Sequence, residues 1–567
     1  MLENPASKYK PFPPLSLPKR QWPDNVLTEA PVWCSVDLRD GNQALINPMD
    51  AERKLELWRA LVGIGFKEIE VGFPSASETD FDFVRQLIDE DMIPDDVTIQ
   101  VLTQARESLI NRTFEAIKGS KNAIVHLYNS TSTLQRRVVF RAEKADITKM
   151  AVEGTKLIKS LVETLPDTNI RLQYSPESFT GTEIDYAVEI CTAVCDVWQP
   201  SDDNKIIINL PSTVEMATPN IYADQIEMFC RDFSYRDQSI ISLHTHNDRG
   251  TGVAATELGL MAGGDRVEGT LFGNGERTGN LDLVTVALNL YTQGVSPNLD
   301  FSNISILKGI AERCTELTIH ERHPYAGELA FTAFSGSHQD AIKKGIDDYN
   351  KASEGNTSQF NAPFEVPYIT IDPADIGRGL DPIIRVNSQS GKGGVAFLVE
   401  QELGYKLPRI LQIEFTGVVQ KVTDTTSKEI SPAEICDLFV DQYVNVDKTI
   451  DYHDHTQDVD ADRSRVQEAY VFTLDFKDAR FELKGSGSGL LDSFLNGIRE
   501  KFDLDFDIID YSQHAMTSEK TSLAASYVRV KDSDGNFWYG VGHHANVTRS
   551  SLVALVNAIN CSFAKSV

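Results

Sequence analysis

A chain of 567 residues is too long for one ordinary domain and predicts two to four units, the largest with a sizeable core. Hydrophobic residues make up 41% and charged residues 24%, the balance of a soluble globular protein. With 83 acidic against 54 basic residues the formal net charge is -29, which argues against nucleic acid and membrane surfaces as partners but leaves room for a local basic pocket.

Residues 1–30 are rich in proline and lysine and hold no apolar run, so they predict an N-terminal extension without a secretory leader. From there to about residue 273, short apolar segments alternate with helically spaced ones. Residues 32–37, 68–73, 98–102, 123–128, 170–174, 205–210, 240–246 and 266–272 read as strands, with helices such as 50–63 and 79–89 between them. Eight strands in this rhythm predict parallel βαβ units. The count favours an α/β TIM barrel over residues 31–300 above an open doubly wound sheet.

Beyond residue 300 the pattern turns helical at 304–317 and 338–349, passes a Gly-rich stretch at 388–394, and is helical again at 431–444. Two small helical or mixed subdomains, 301–370 and 371–448, are expected. Residues 451–462, acidic and polar, read as an exposed linker. A weak ββα repeat follows. Ala469-Tyr470-Val471 opens one copy, which ends in Gly485-Ser486-Gly487-Ser488-Gly489 and a helix from Leu490. Ser526-Tyr527-Val528 opens the other, with a turn at Asp534-Gly535, then Gly540-Val541-Gly542 and a helix through Asn560, where Leu552, Leu555, Val556 and Ile559 share a face. Two such copies predict an α+β regulatory domain over residues 449–567, by analogy with ligand-sensing appendages.

No stretch approaches the roughly 20 apolar residues of a membrane span. The seven cysteines (Cys34, Cys191, Cys195, Cys230, Cys314, Cys436, Cys561) are scattered, and Cys191 and Cys195 have no second pair to complete a zinc cage. Buried thiols in a reducing, cytoplasmic setting are expected.

The strongest chemical signal is His244-Thr245-His246. Residues two apart on a strand point the same way, so both imidazoles face the C-terminal mouth of the barrel. Two neutral imidazoles suit a borderline divalent ion, although an isolated HxH is weak evidence. His453-Asp454-His455 is a second HxH, assigned to solvent because it falls in the polar run. Company lifts the first. Arg39-Asp40-Gly41 ends the first strand, and Gly273-Asn274-Gly275-Glu276-Arg277-Thr278-Gly279-Asn280 follows the eighth, beside both in a closed barrel. That loop lacks a P-loop ending, and residues 485–489 lack the third glycine of a dinucleotide fingerprint.

Leu38-Arg39-Asp40-Gly41-Asn42-Gln43, with Lys54 further on, resembles the first signature of the 2-isopropylmalate and homocitrate synthase family. His244-Thr245-His246-Asn247-Asp248-Arg249-Gly250 resembles its second. Glu70-Val71-Gly72-Phe73-Pro74, the 273–280 loop, Ser337-His338-Gln339-Asp340 and the run from Arg385 to Gly394 are similar to the longer bacterial form, and the resemblance covers nearly the whole chain. It implies that Asp40, His244 and His246 bind a divalent ion (magnesium, manganese or zinc), with Asn280 near it. A potassium activator is left open. Arg39 would act on the keto oxygen, His126, Ser175 and Thr213 would hold a 2-oxo acid, and Leu102 and Tyr128 would pack its branched end. Glu177, His338 and Tyr368 would move protons. In this family the last two serve the partner subunit's site, so a homodimer is expected.

The implied reaction is the condensation of acetyl-CoA with a 2-oxo acid, made irreversible by thioester hydrolysis. The branched 2-oxoisovalerate is the first choice, and homocitrate or citramalate synthesis the alternatives. A lyase reading conflicts with the C-terminal repeat, and a non-catalytic metal-stabilised sensor with the intact set of chemical residues. Leucine is the expected inhibitor, bound near Gly485, Gly487 and Asp492. His543-His544-Ala545-Asn546 in the second copy departs from the small and acidic residues common there, and these histidines either decorate an exposed turn or line the pocket.

Overall fold

The computed structural model describes residues 5–333, 336–353, 363–379, 392–426, 430–457, 468–516 and 523–564. Two compact units make up the chain, Met1–Phe331 with Ile371–Leu380, and Thr332–Thr370 with Asp381–Val567.

In the first unit eight parallel strands close a barrel in chain order: β1 Val32–Ser35, β2 Glu68–Gly72, β3 Thr98–Gln104, β4 Asn122–Ser130, β5 Asn169–Glu177, β6 Ile206–Ser212, β7 Ser239–Thr245 and β8 Arg266–Gly269. Side chains alternate across each strand. One set, including Ile69, Val71, Ile99, Val101, Val125, Leu172, Ile208, Leu243 and Val267, packs with helix residues such as Leu57, Leu61, Phe83, Ile110, Ile158, Ile190 and Phe229 into the main hydrophobic core. The other set fills the barrel with hydrogen-bonded polar groups. Arg266, fully buried, donates to Glu68 (2.6 Å), Glu268 (2.5 Å), Gln100 (2.8 Å) and Ser242 (2.8 Å). Gln173 donates to Glu268 (2.7 Å) and Gln100 to Glu70 (3.0 Å). A packed apolar interior is the commoner filling of this fold; here the main apolar core lies between strands and helices. The N-terminal extension is clamped to helix Pro219–Asp232, where the Asp224 carboxylate accepts from Arg20 and Trp22, and Glu227 accepts from the backbone N–H of Gln21 and Trp22.

The second unit holds helices Gly336–Ser353, Lys392–Leu403, Arg409–Thr426 and Pro432–Phe439, and two three-stranded antiparallel sheets. Strands β9 Ile450–Gln457, β10 Glu468–Phe476 and β11 Ala479–Gly487 precede helix Leu490–Phe502. Strands β12 Phe506–Met516, β13 Leu523–Asp532 and β14 Phe537–His544 precede helix Val547–Ala564. The repeat is therefore βββα rather than ββα, and the expected linker is a strand over its first part; residues 458–467 lie outside the described ones. Both missed strands are edges. β9 buries only Ile450 and Tyr452, and β12 only Phe506, so neither carries an apolar alternation long enough to read.

Phe472, Leu474, Leu483 and Ile498 of the first copy share a core with Val528, Val530, Leu552, Leu555 and Ile559 of the second. The copies are not equivalent. The other face of the β13–β14 sheet, with Ala525, Tyr527, Tyr539 and Val541, is buried among Val399, Leu411, Phe415 and Phe439 of the helices, whereas Arg480, Glu482 and Lys484 of β11 stay exposed. Gly485 and Gly487 lie within β11. A Cβ on Gly485 would come within 2.0 Å of the Ser493 carbonyl, and one on Gly540 within 2.1 Å of the Ala558 nitrogen, so each copy presses its last strand backbone-to-backbone against its helix. No helix among the described residues is long and apolar enough to cross a membrane.

Candidate active site

The chain leaves β1 not as a continued strand but as a helical turn, Asp37–Gly41, which corrects the expectation that Arg39-Asp40-Gly41 ends the strand. The Asp37 carboxylate pins this turn by accepting from the Leu271 N–H (3.0 Å) and the Ser35 hydroxyl (2.8 Å), and burial pushes its carboxyl up to about 7. Arg39 and Asp40 are thereby presented at the C-terminal mouth of the barrel, where β7 delivers His244 and His246.

Asp40, His244 and His246, all buried, each offer a donor atom within 4.8 Å of the others, and they form the sole such group of three among the described residues. Asp40 Oδ2 lies 3.1 Å from His244 Nε2 and 3.8 Å from His246 Nε2, and it accepts from Asn280 Nδ2 (2.6 Å); Asp40 Oδ1 accepts from Arg39 (2.6 Å). Burial opposes ionisation of Asp40, but Arg39 and the imidazoles outweigh it and hold its carboxyl well below the usual range. Burial and the neighbouring His244 lower His246 to about 4, which leaves its imidazole neutral and free to ligate at pH 7. Burial also opposes a proton on His244, yet hydrogen bonds to Asp40 and Glu268 raise it to about 9. The site asks for one more positive charge: Asp40, Glu68, Glu70 and Glu268 are held ionised against the guanidiniums of Arg39, Arg171 and Arg266. Protonated His244 meets that demand, and a bound cation can take the place of that proton. His246 Nδ1 and Asn280 Oδ1 are buried and have no partner among the described residues, and His244 Nδ1 is turned to Glu268 Oε2 (2.7 Å), leaving Nε2 for a metal. The residues fit a divalent cation.

Beside this cluster opens a cavity of about 280 Å³ lined by Arg39, Leu102, His126, Tyr128, Ser175, Glu177, Thr213 and both histidines, so the barrel residues singled out in the sequence converge on one space, with Asn280 behind Asp40. Their partners fix them. His126 bridges Glu70 (2.7 Å) and the Ser175 hydroxyl (2.7 Å), and Asn209 donates to that same hydroxyl (2.9 Å). Arg39 is braced by Glu70 (2.6 Å), Glu177 accepts from the Ser130 hydroxyl, and Thr213 accepts from the Ser178 N–H (3.0 Å). Tyr128 accepts from Gln104 (2.6 Å) and meets Phe73 edge-on. Sequence reasoning assigned no role to Glu268, Gln100, Gln173, Arg266 or Asn209. Polar residues two apart within strands, Glu68-x-Glu70, Gln173-x-Ser175 and Arg266-x-Glu268, were the signal that could have found most of them.

In the second unit His338 and Tyr368 stack with ring centres 4.1 Å apart. Residues 385–391 of the predicted motif lie outside the described residues. Asp492 accepts from the Ser488 N–H (2.7 Å) and hydroxyl (3.0 Å). His453 is not in a solvent-filled linker: it sits on β9, bound to Asp475 (2.8 Å). His543 Nδ1 lies 2.8 Å from the Tyr405 hydroxyl, and His544 Nδ1 accepts from the Asn546 N–H (2.9 Å), so one is docked against the connection between two helices and the other caps its own turn.

Three family models match the chain: HMGL-like over residues 30–310, alpha-isopropylmalate synthase post-catalytic domain-like over residues 328–400, and LeuA allosteric (dimerisation) domain over residues 429–563. A 2-isopropylmalate synthase of Rhodospirillum rubrum is 53% identical over 561 residues, covering 99% of this chain and 99% of its own length. One of Acetoanaerobium sticklandii is 53% identical, covering 98% and 96%, and one of Pseudomonas entomophila is 52% identical, covering 100% and 99%.

Proposed function

The chain belongs to the 2-isopropylmalate synthase family, and from that premise we propose that its barrel cavity is where acetyl-CoA condenses with 2-oxoisovalerate to give 2-isopropylmalate and CoA, the step that opens leucine biosynthesis. The observation that carries this assignment of the site is the Asp40–His244–His246 cluster beside Arg39 in the cavity that also holds Leu102 and Ser175. Asp40, His244, His246 and Asn280 would hold the divalent ion, which when bound polarises the keto carbonyl.

The chain's own residues do the rest. Arg39, locked by Glu70 and Asp40, keeps a charged donor where alkoxide develops, an effect worth about 3 kcal/mol in comparable sites. Ser175, steadied by His126 and Asn209, and Thr213 hold the 2-oxo acid. Glu177, held by Ser130, receives a proton from the acetyl methyl group, and His338 with Tyr368 forms a second proton-transfer pair in this reading. The reaction belongs in the cytoplasm, in keeping with seven cysteines that form no disulfide among the described residues.

Leu102, Phe73 and Tyr128 give the cavity an apolar lining, so 2-oxoisovalerate should exceed pyruvate in kcat/KM. The expected advantage is about tenfold for two added carbons at ~0.8 kcal/mol each. Thiol release from acetyl-CoA with a panel of 2-oxo acids measures this. Faster release with 2-oxoglutarate would give the chain to homocitrate synthesis instead.

The LeuA dimerisation domain match supports a homodimer controlled by an end product. Leucine should inhibit through a site near the first copy's strand–helix junction, where helix N–H groups meet a carboxylate and Asp492 an ammonium. Because the second copy's sheet is part of the helical core, truncation would expose Leu411 and Phe415, and a point variant is the cleaner probe. Asp492→Ala should weaken leucine inhibition at least tenfold while kcat without leucine is retained. Inhibition unchanged in that variant would place leucine elsewhere.

A further inference from the structure

We propose that the turn at residues 133–141, on the C-terminal rim of the barrel, seats the phosphate groups of the thioester co-substrate's 3′-phosphoadenosine diphosphate moiety. The inference rests on the reading above that acetyl-CoA is the acyl donor. A cavity of about 280 Å³ is at the small end of ligand pockets and cannot enclose both a branched 2-oxo acid and a nucleotide, so the nucleotide must lie outside it.

β4 leads there directly. Tyr128 lines the cavity, Ser130 binds the Glu177 side chain, and the Thr131 N–H donates to the Glu177 carbonyl (3.1 Å) before the chain enters the turn. Three arginines stand on the turn with unequal duties. Arg136 is buried and spent on structure, donating to the Thr131 carbonyl (3.0 Å) and to Glu183 (2.7 Å). Arg137 and Arg141 are exposed, and their side chains meet no partner among the described residues.

With Thr133, Arg136 and Ala142 they line a concavity of about 370 Å³, into which Glu143 also faces. The Ala142 N–H donates to the Arg136 carbonyl (3.1 Å), and Arg141 is held in the left-handed region at φ 51°, so the turn is shaped. On a chain of net charge -29, a polyanion meets repulsion over most of the surface, and two unpaired guanidiniums in a hollow offer the charge and the forked donors that phosphate takes. Leu134, Val138, Val139 and Phe140 of the same turn are exposed and give an adenine ring an apolar surface to lie against.

The test is steady-state kinetics of the full chain and the R137Q/R141Q double variant with three acetyl donors: acetyl-CoA, acetyl-3′-dephospho-CoA, and acetyl-N-acetylcysteamine, which has no nucleotide. The expected result is a rise of at least tenfold in KM for acetyl-CoA, a smaller rise for the dephospho donor, and no change with acetyl-N-acetylcysteamine or in KM for the 2-oxo acid. An unchanged KM for acetyl-CoA would overturn the proposal, and so would an equal loss with all three donors, which would mean that the turn acts on the reaction cavity itself. A parent enzyme that releases thiol from no donor would remove the acyl-CoA reading and this proposal together.

Discussion

Asp40→Ala is expected to lose its divalent ion and at least about 10³-fold in condensation rate, while His453→Ala keeps both. Asp40 is the hub of the cluster: one oxygen lies against His244, His246 and Asn280, and the other braces Arg39. Removing it withdraws the only carboxylate among the proposed donors and frees the Arg39 guanidinium, which is proposed to meet the keto oxygen, so binding and charge stabilisation should fall together. His453 has the same local sequence pattern but a different setting, on edge strand β9 of the second unit with its Nε2 2.8 Å from Asp475. Metal content after dialysis, measured by atomic emission alongside thiol release, separates the two variants. Metal retained by Asp40→Ala, or lost by His453→Ala, would move the site elsewhere.

Arg266→Met should destabilise the barrel by about 3–5 kcal/mol, the usual cost of stranding buried charges by removing their partner. Arg266 binds both Glu68 and Glu268, the one guanidinium among the described residues to do so. Burial raises both carboxyl groups, and Arg266 leads the interactions that reverse this, so in the native barrel both stay ionised below the usual glutamate range. Their contribution to stability is present above the unfolded value near 4.5 and fades only as pH falls through the lower folded values. Without Arg266 burial prevails, the folded values rise, and the same carboxylates oppose folding at neutral pH. The gap between parent and variant should therefore be widest near pH 7, on the order of 10 °C in melting temperature for a domain of this size, and should narrow toward pH 4–5. A gap that is absent, or that widens on acidification, would contradict this account of the interior.

Much of the barrel is legible in the sequence because its strands keep an unbroken apolar set for the helix side: Ile69 and Val71, Ile99 and Val101, Ile241 and Leu243 mark strands without help from the residues between them. Those intervening residues, Glu70, Gln100, Gln173 and Glu268, are the scaffold of the site, and their polar i, i+2 spacing marks an inward face without saying which partners closure of the barrel brings to one axis. The HxH pair is legible because a strand makes i and i+2 neighbours. Asp40 reaches the pair through a helical turn pinned by Asp37 to Leu271, a contact 234 residues long in sequence that no local pattern announces. The C-terminal repeat is visible in its helices and glycines but loses its edge strands, since β9 and β12 are half-wet and polar.

A barrel filled with charge also bears on how such an enzyme changes over evolutionary time. Glu70 braces Arg39, orients His126 and pairs with Gln100, and Glu268 serves His244, Arg266, Gln100 and Gln173 at once. Substitutions at these positions are expected to be epistatic, because each removes a partner of several buried groups at once. Leu102, Phe73, Tyr128 and Thr213 border the same cavity with far fewer obligations. Changes of 2-oxo acid preference are therefore expected along that rim sooner than in the wired interior.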